Sequence, residues 1–337
     1  MSLPLSIPSP PASWADIIIP WGQWFHWAGM PLGWASDIKT YALCLIAGII
    51  LAVIITSRRL TKRGAEPGLV LDIALWCVPL GIIGARIYHV LTHYNDYFGP
   101  GKNPMTAFYI WEGGIAIFGA LIGGAIGVFI GCRIAGIRFW SFADALAPGL
   151  LVAQAVGRFG NYFNHELYGQ PTTLPWGLVI PNPASNPNPE YPVGLPAGTL
   201  FHPTFLYEML WNLLGVVVLL LLEREYKYRW GKMIAIYFMW YGVGRIWFES
   251  IRIDPSDVIF GLRSNVWGAI GAVVIGIIVF AVQSRRHPGL EPSPYVSGKL
   301  WEAPSKVDSD ETYSDSDDAG DDAVRSPEVA ATSGAGV

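Results

Sequence analysis

Residues 143–169 read ADALAPGLLVAQAVGRFGNYFNHELYG, a sequence in which an apolar run passes directly into a strongly polar segment. The polar half, residues 157–169, carries arginine, asparagine, histidine and glutamate side chains. Such groups are costly at the edge of an apolar helix unless they face a cavity or one another. The fold must therefore give these side chains a cavity or polar partners. The side of the membrane on which they lie then determines where a functional site could form.

The composition of the chain indicates a membrane protein. Its 337 residues are 52% hydrophobic and 14% charged, with a mean hydropathy of +0.37, whereas soluble domains carry about 25% charged residues. About 20 apolar residues cross a bilayer as a helix. Runs of this kind lie at 40–57, 68–92, 113–132, 141–157, 203–222, 233–250 and 264–283. We therefore expect an all-α polytopic membrane protein with about seven transmembrane helices and an extracytoplasmic loop or head region.

Basic residues are concentrated in alternate loops. Residues 57–63, 133–138, 223–232 and 284–287 contain most of the lysines and arginines of the first 300 residues. The positive-inside rule places such loops in the cytoplasm, so we expect the N-terminus outside and the C-terminus inside. The opening residues lack the basic segment and cleavage site of a removable signal peptide, so the first span is expected to be an uncleaved anchor.

Three regions are predicted along the chain. Residues 1–37 form an extracytoplasmic or interfacial N-terminal segment, residues 38–286 the seven-helix transmembrane domain, and residues 287–337 a cytoplasmic acidic tail. From residue 302 onward ten acidic residues stand against two basic ones, and large apolar side chains are almost absent. The tail is expected to be disordered because it cannot bury enough apolar surface to fold.

Polar and ionisable residues collect at the predicted outer ends of the spans. They are Tyr41, Arg86, His89, Arg158, Asn161, Asn164, Glu166, His202, Tyr207, Glu208, Tyr241, Arg245, Glu249, Arg252 and Asp254. Arginine grips a phosphate through two parallel hydrogen bonds, so we interpret the group as a basic cavity for an anionic lipid head group. Tyr241, Arg245 and Glu249 lie at i, i+4 and i+8 and therefore share one helix face.

Structural explanations remain open for several of these residues. Arg245 and Glu249 could form an ion pair that only neutralises two charges in lipid, and His202 could simply precede a helix that starts at a proline. Three acidic residues are candidates for buried carboxylates bonded to a neighbouring helix: Asp72, which we favour, Glu112 and Asp144. The three cysteines lie in apolar runs without a spaced pair, so neither a disulfide framework nor a metal site is predicted.

The polar segment also resembles a family signature. Residues 157–169 match the pattern G-R-x-G-N-[FY]-x-N-x-E-x-x-G of the prolipoprotein diacylglyceryl transferases at every fixed position. These positions are Gly157, Arg158, Gly160, Asn161, Asn164, Glu166 and Gly169. IWEGG at 110–114, HPTFLYE at 202–208 and YGVGRIWFESIRID at 241–254 are similar to other blocks of the family. The resemblance covers about residues 35–285.

The resemblance implies a reaction. Members of the family move the diacylglyceryl unit of phosphatidylglycerol onto the lipobox cysteine of a prelipoprotein, so that a thioether forms and glycerol 1-phosphate leaves. The implied partners are phosphatidylglycerol, the prelipoprotein signal peptide and membrane lipid, with no nucleic acid, and the implied location is the bacterial plasma membrane. The resemblance implies neither a metal nor a cofactor.

The family's functional residues can be carried over only where this sequence matches. Arg158, Arg245, Glu166 and Tyr41 are the implied catalytic residues. The implied phosphatidylglycerol-binding residues are Arg158, Asn161, Gly169, Arg86, Tyr241, Glu249 and His202. Arg158 would hold the lipid phosphate, and Arg245 would stabilise the departing phosphate or the incoming thiolate.

One position departs from the family. Several members carry a histidine in the third span, where this chain has Phe118 in the stretch IFGALIGG. Either His202 or a carboxylate substitutes as the base, or the arginines lower the thiol pKa enough that no base is needed. A non-enzymatic alternative is an anionic phospholipid transporter or flippase, which would need polar groups through the whole span, whereas the predicted inner halves are apolar.

Overall fold

The computed structural model describes residues 6–24, 26–29, 36–110, 113–182, 191–196, 198–299 and 301. Long helices dominate these residues. They are α2 (Thr40–Lys62), α3 (Leu69–Thr92), α5 (Ile117–Ala135), α6 (Phe139–Phe163), α7 (Thr204–Tyr226), α8 (Lys232–Ile251) and α9 (Ser264–Arg286). Short helices α1 (Trp21–Trp24) and α4 (Tyr94–Phe98) and 3-10 helices at Ala12–Trp14, His26–Ala28 and Pro104–Phe108 lie between them.

Small antiparallel hairpins occupy the connections. They are formed by β1 (Asp16–Ile19) with β2 (Ser36–Lys39), β3 (Leu178–Val179) with β4 (Leu200–Phe201), and β5 (Val258–Ile259) with β6 (Leu262–Arg263). The first pairs Asp16 with Lys39, whose side chains form an exposed ion pair of 2.6 Å. The third turns the chain between α8 and α9 and places Arg263 immediately before α9.

The prediction of an all-α polytopic membrane protein is confirmed. Among the described residues, six helices (α2, α3, α5, α6, α7 and α9) are long and apolar enough to cross a membrane. At about 1.5 Å per residue, the 20 residues of α8 also match a hydrocarbon core of about 30 Å. Helix α8 carries tyrosines, an arginine and a glutamate and is not among those six, so the seventh span remains a prediction.

Several helices run past the apolar stretches that predicted them. Helix α2 continues to Lys62 rather than stopping at 57, α6 continues to Phe163 rather than 157, and α9 continues to Arg286. Lysine and arginine are good helix formers, and their long stems lie along apolar surface while the charge reaches the interface. The basic residues that we placed in loops are therefore partly helical, and Arg158 and Asn161 lie inside the last turns of α6.

Glycines set the closest helix contacts. Helix α5 carries Gly119, Gly123, Gly127 and Gly131 at four-residue spacing, and a Cβ at any of them would meet α3. Helices α2 and α6 approach similarly at Gly48, where a Cβ would lie 2.9 Å from the carbonyl oxygen of Ala153. Small residues at this spacing allow transmembrane helices to approach backbone to backbone.

Asp144, near the start of α6, fixes the start of α8. Its side chain is fully buried and accepts hydrogen bonds from the backbone N–H groups of Gly231 (2.8 Å) and Ile234 (3.0 Å). The first N–H groups of a helix have no partner within it, so this carboxylate satisfies two of them. Asp72, which we favoured for such a role, is exposed, so that interpretation is wrong. Glu112 lies outside the described residues.

The first part of the predicted tail is folded. Tyr295 is buried and its backbone pairs with Ile137. Arg138 donates to the carbonyl oxygen of Ser293 at 2.8 Å, and Ser141 donates to the carboxylate of Glu291. Residues 287–299 therefore belong with the helices, and only the remainder keeps the prediction of a disordered tail.

We predict that Asp144→Ala destabilises the protein by about 2 kcal/mol or more, because two buried N–H groups lose their acceptor. The apparent melting temperature of the purified full chain in detergent measures this loss. Asp144→Asn, which keeps one acceptor, should fall between wild type and Asp144→Ala, and the exposed control Asp72→Ala should melt like wild type. Equal melting of Asp144→Ala and Asp72→Ala would contradict the capping role.

Candidate active site

One connected set of charged and amide side chains joins the end of α6, the start of α7, the end of α8 and the start of α9. We call it the polar network. It consists of Arg158, Asn161, Asn164, Glu166, Glu208, Arg245, Glu249, Arg252, Asp254, Arg263 and Asn265. The first and last members, Arg158 and Asn265, are 107 positions apart in the sequence. The antiparallel helices bring all of these residues to the same end of the bundle.

Glu208 joins the arginines of two helices. Its Oε2 atom lies 2.5 Å from Nη2 of Arg158 and 3.8 Å from Nη1 of Arg245. Only 7% of the Glu208 side chain is exposed, against 19% and 15% for the two arginines. A charge-assisted contact of this kind is strong because the surroundings exclude water. The two guanidinium groups therefore converge on one anionic position, which the carboxylate occupies.

The signature residues at and just after the end of α6 form a short hydrogen-bonded chain. Asn161 accepts a hydrogen bond from Nη1 of Arg158 at 3.0 Å and donates its amide N–H to Oε1 of Glu166 at 2.8 Å. Asn164 donates to the same oxygen at 3.3 Å. An amide can accept on one side and donate on the other, so Asn161 holds the arginine and the glutamate in fixed relation.

Glu249 is the fully buried centre of the other half of the network. Its Oε1 accepts hydrogen bonds from Nε of Arg263 (2.8 Å) and Nδ2 of Asn265 (3.0 Å). Its Oε2 forms ion pairs with Arg245 (3.0 Å) and Arg252 (3.6 Å). The pair of Arg245 and Glu249 that we kept open as purely structural does form, but it is one link of a larger network.

Arg263 and Asn265 were not predicted as site residues from the sequence. Arg263 also donates to the carbonyl oxygens of Arg252 and Asp254 and to the carboxylate of Asp254. In the sequence it follows FGL, just before an apolar run, and resembles an ordinary flanking charge. The signal that could have found it is the β-turn glycine, Gly261, which allows the chain to turn back so that Arg263 reaches Glu249.

The polar network is formally neutral, which corrects our expectation of a basic cavity. Four arginines are matched by four carboxylates: Arg158, Arg245, Arg252 and Arg263 against Glu166, Glu208, Glu249 and Asp254. Unpaired charges are too costly near a bilayer for the arginines to lack partners. Any anion that binds Arg158 and Arg245 together must therefore displace or share the position of the Glu208 carboxylate.

Two of the signature glycines, Gly160 and Gly169, are packing positions. A Cβ at Gly160 would collide with the ring of Tyr41, which therefore lies against the last turns of α6. A Cβ at Gly169 would lie 2.8 Å from Cβ of His202 and 2.9 Å from Cγ2 of Ile251. The backbone N–H of Gly169 donates to the carbonyl oxygen of His202 at 3.0 Å. Gly169 thus allows the loop after α6 to reach the start of α7 and the end of α8.

Tyr241 and His202 lie beside the polar network without a described ionic contact to it. Tyr241 stacks on Tyr237, with ring centroids 6.0 Å apart. Nδ1 of His202 lies 3.2 Å from the hydroxyl oxygen of Tyr207, which accepts a hydrogen bond from Trp176 at 3.0 Å. His202 lies just before α7, as expected if it only precedes a helix start. Its ring also contacts the hydroxyl group of Tyr207, which in turn contacts Trp176. A binding role for either residue stays a prediction.

Arg86 has a different environment. It is buried, and its guanidinium donates four hydrogen bonds of 2.6–2.9 Å to the carbonyl oxygens of Thr106, Ala107, Gly113 and Gly114. It also lies 5.0 Å above the ring of Tyr97. These contacts tie the loop between α4 and α5 to α3. Most of its donors are therefore engaged with backbone, and its assignment to lipid binding remains a prediction.

Phe118 provides no titratable group at the start of α5. Its side chain is 44% exposed, and its ring lies 6.1 Å from that of Tyr88 and close to Gly268. A proton acceptor must therefore come from another position if the chemistry requires one. Glu208 and Glu166 are the carboxylates of the polar network that touch Arg158 or its amide partner.

The sequence is similar to known proteins over most of its length. A family model described as prolipoprotein diacylglyceryl transferase matches residues 31–282. The chain is 57% identical over 315 residues to the phosphatidylglycerol–prolipoprotein diacylglyceryl transferase of Leifsonia xyli subsp. xyli, covering 91% of this chain and 90% of the relative.

Two further relatives carry the same description. The protein of Paenarthrobacter aurescens is 47% identical over 254 residues, covering 74% of this chain and 79% of the relative. One of Streptomyces coelicolor, numbered 2, is 43% identical over 258 residues, covering 75% and 78%. The family model and these identities lead to one conclusion: the chain belongs to the prolipoprotein diacylglyceryl transferase family.

Proposed function

We propose that this chain transfers the diacylglyceryl group of phosphatidylglycerol to the thiol of a prelipoprotein's lipobox cysteine and releases glycerol 1-phosphate. The observation that carries the proposal is the convergence of Arg158 and Arg245 on one buried anionic position. That position suits a phosphate, which arginine binds through paired hydrogen bonds. The family and the names of the relatives supply the reaction.

The chemistry requires two kinds of electrostatic help. The cysteine sulfur attacks an sp³ carbon of the glycerol while the carbon–oxygen bond to phosphate breaks, so negative charge accumulates on the leaving phosphate. Fixed guanidinium groups stabilise that charge most strongly in a site that excludes water. The same positive groups favour the thiolate, whose acid has a pKa near 8.5 in water. Arg158 holds the phosphate, and Arg245 faces the departing oxygen.

Glu208 has a further part in this proposal. A lipid phosphate that binds both arginines takes the place of its carboxylate, which then lies free beside the reacting atoms. The freed carboxylate is a hydrogen-bond acceptor within the site, and it can accept the proton of the incoming thiol. Two alternatives to Glu208 remain: His202 as the base, or a mechanism without a side-chain base. Phe118 cannot act as a base and does not distinguish among the three.

The orientation and the regional division belong to the same proposal. The N-terminus lies outside the bacterial plasma membrane and the C-terminus in the cytoplasm, because the basic ends of α2, α7 and α9 follow the positive-inside rule. The polar network then faces the extracytoplasmic side, where lipoprotein precursors emerge. In this proposal residues 1–37 are an extracytoplasmic or interfacial segment, residues 38–286 form the catalytic domain, and the acidic tail beyond the folded residues 287–299 lies in the cytoplasm.

The discriminating experiment incubates membranes containing the protein with labelled phosphatidylglycerol and a lipobox peptide. Label on the peptide, in a thioether bond, supports the transferase. Movement of label between leaflets without transfer to the peptide supports the alternative, an anionic phospholipid flippase, and would overturn the proposal.

We predict that Arg158→Ala and Arg245→Ala each reduce the transfer rate at least 100-fold, because each removes a positive group from the transition state. Arg158→Lys and Arg245→Lys should recover only part of the rate, since an ammonium group cannot make the paired contact. The peptide-labelling rate measures the effect, and Arg285→Ala at the far end of α9 is the control. Wild-type rates in both alanine variants would contradict an arginine-centred mechanism.

We further predict that Glu208→Gln lowers kcat about 100-fold, which is within the range for loss of a general base. The substitution keeps the shape but removes both the charge and the basicity. KM for phosphatidylglycerol should stay the same or fall, because the competing carboxylate is gone. An unchanged kcat would instead favour a mechanism without a side-chain base.

A further inference from the structure

A second group of basic residues lines a cleft at the opposite end of α7. This cleft, which we call the basic cleft, lies between the C-terminal halves of α2 and α7 and has a volume of about 410 Å³. Its lining residues are Ile55, Arg58, Arg59, Lys62, Arg63, Leu220, Glu223 and Arg229. Glu223 lies fifteen residues after Glu208 on α7, or about 22 Å along the helix. The basic cleft is therefore separate from the polar network.

Three guanidinium groups share one carboxylate in the basic cleft. Glu223 lies 2.6 Å from Arg59, 2.9 Å from Arg63 and 2.6 Å from Arg229. The nearby carboxylate of Asp144 is engaged with the backbone at the start of α8. Unlike the polar network, this arrangement leaves positive charge without an equal number of carboxylates. In surroundings that exclude water, such an excess favours an additional anion.

Two further cations extend the excess towards solvent. Arg58 and Lys62 lie at i and i+4 on α2, both exposed, and neither makes an ion pair within the described part of the chain. The inner arginines are held rigidly, because Arg59 donates to the carbonyl oxygen of Ala145 and Arg63 to that of Ser141, each at 3.0 Å. The basic cleft thus combines fixed donors with two unpaired charges at its mouth.

The apolar side of the basic cleft faces outward from the bundle. Ile55 and Leu220 line it. Leu220 is 43% exposed, and Ile54 and Leu221, which are next to these two residues in the chain, are exposed as well. An inorganic anion would use only the charged part of such a site. A ligand with a phosphate and an acyl chain uses both, since the chain can lie along this exposed surface while the phosphate meets the arginines.

We propose that the basic cleft binds the phosphate group of an anionic phospholipid, with its acyl chains along Ile55 and Leu220. The lipid belongs to the leaflet opposite the polar network. The identification of that leaflet as the cytoplasmic one rests on the orientation proposed above, whereas the site itself does not. The site therefore recognises lipid independently of the transfer reaction.

Native mass spectrometry of the full chain in detergent, titrated with dioleoyl phosphatidic acid, tests the proposal. The variant R58Q/K62Q should weaken binding of the tightest-bound lipid about 10- to 30-fold, because each basic residue near a lipid surface contributes appreciably to affinity. The matched control R285Q/R286Q removes two exposed charges at the same end of the bundle and should bind within about twofold of wild type. Dioleoyl phosphatidylcholine should bind without a difference between the two variants.

Three results would overturn the proposal. Equal weakening in R58Q/K62Q and R285Q/R286Q would mean that total charge, not the basic cleft, attracts the lipid. Weakening by Arg158→Ala but not by R58Q/K62Q would place the lipid at the polar network. Complete displacement by millimolar inorganic phosphate would mean that the cleft takes a free phosphate. None of these measurements uses transfer activity, so their failure is distinguishable from failure of the proposed reaction.

Discussion

The structure depends on ion pairs between arginines and two carboxylates of one helix, because unpaired charges are costly in or near a bilayer. Helix α7 carries Glu208 near its start and Glu223 near its end, and each draws in arginines from neighbouring helices. Glu208 connects α6 to α8, and Glu223 connects α2 to the segment after α7. Removal of one partner would leave an unpaired charge in surroundings of low dielectric constant. The ion pairs at both ends of α7 therefore hold the neighbouring helices at fixed positions.

The sequence predicted the fold well because the relevant signals are local. Apolar length and alternating basic ends located every long helix within a few residues, and the four-residue glycine spacing of α5 agrees with its close contact to α3. The helix ends were the weakest part, since hydropathy marks the limit of the apolar stretch and not the limit of backbone hydrogen bonding. Arg158 and Asn161 were therefore placed just beyond the apolar run that ends at 157, although both lie within α6.

The site was predicted only in part because its charge balance depends on contacts between distant segments. The match to a family signature located Arg158, Asn161 and Glu166, and helical spacing located Arg245 and Glu249. Neither signal could indicate that Arg263, after a hairpin, would reach Glu249, or that Glu208 would lie between two arginines. The same limit applied to Asp144, since an acidic residue in an apolar run does not reveal which helix start it contacts.

The position of Glu208 has a consequence for selectivity. A carboxylate tethered beside Arg158 and Arg245 acts as an internal competitor whose effective concentration is high and constant. A small anion from solution makes little more than the same ionic contacts as the carboxylate that it must displace. Its binding free energy is therefore small. A lipid also contributes the burial of its acyl chains, at about 25 cal/mol per Å² of apolar surface. In the proposed mechanism, an internal carboxylate therefore makes the site respond to amphiphiles rather than to small anions, and it keeps abundant free phosphate out of the reaction.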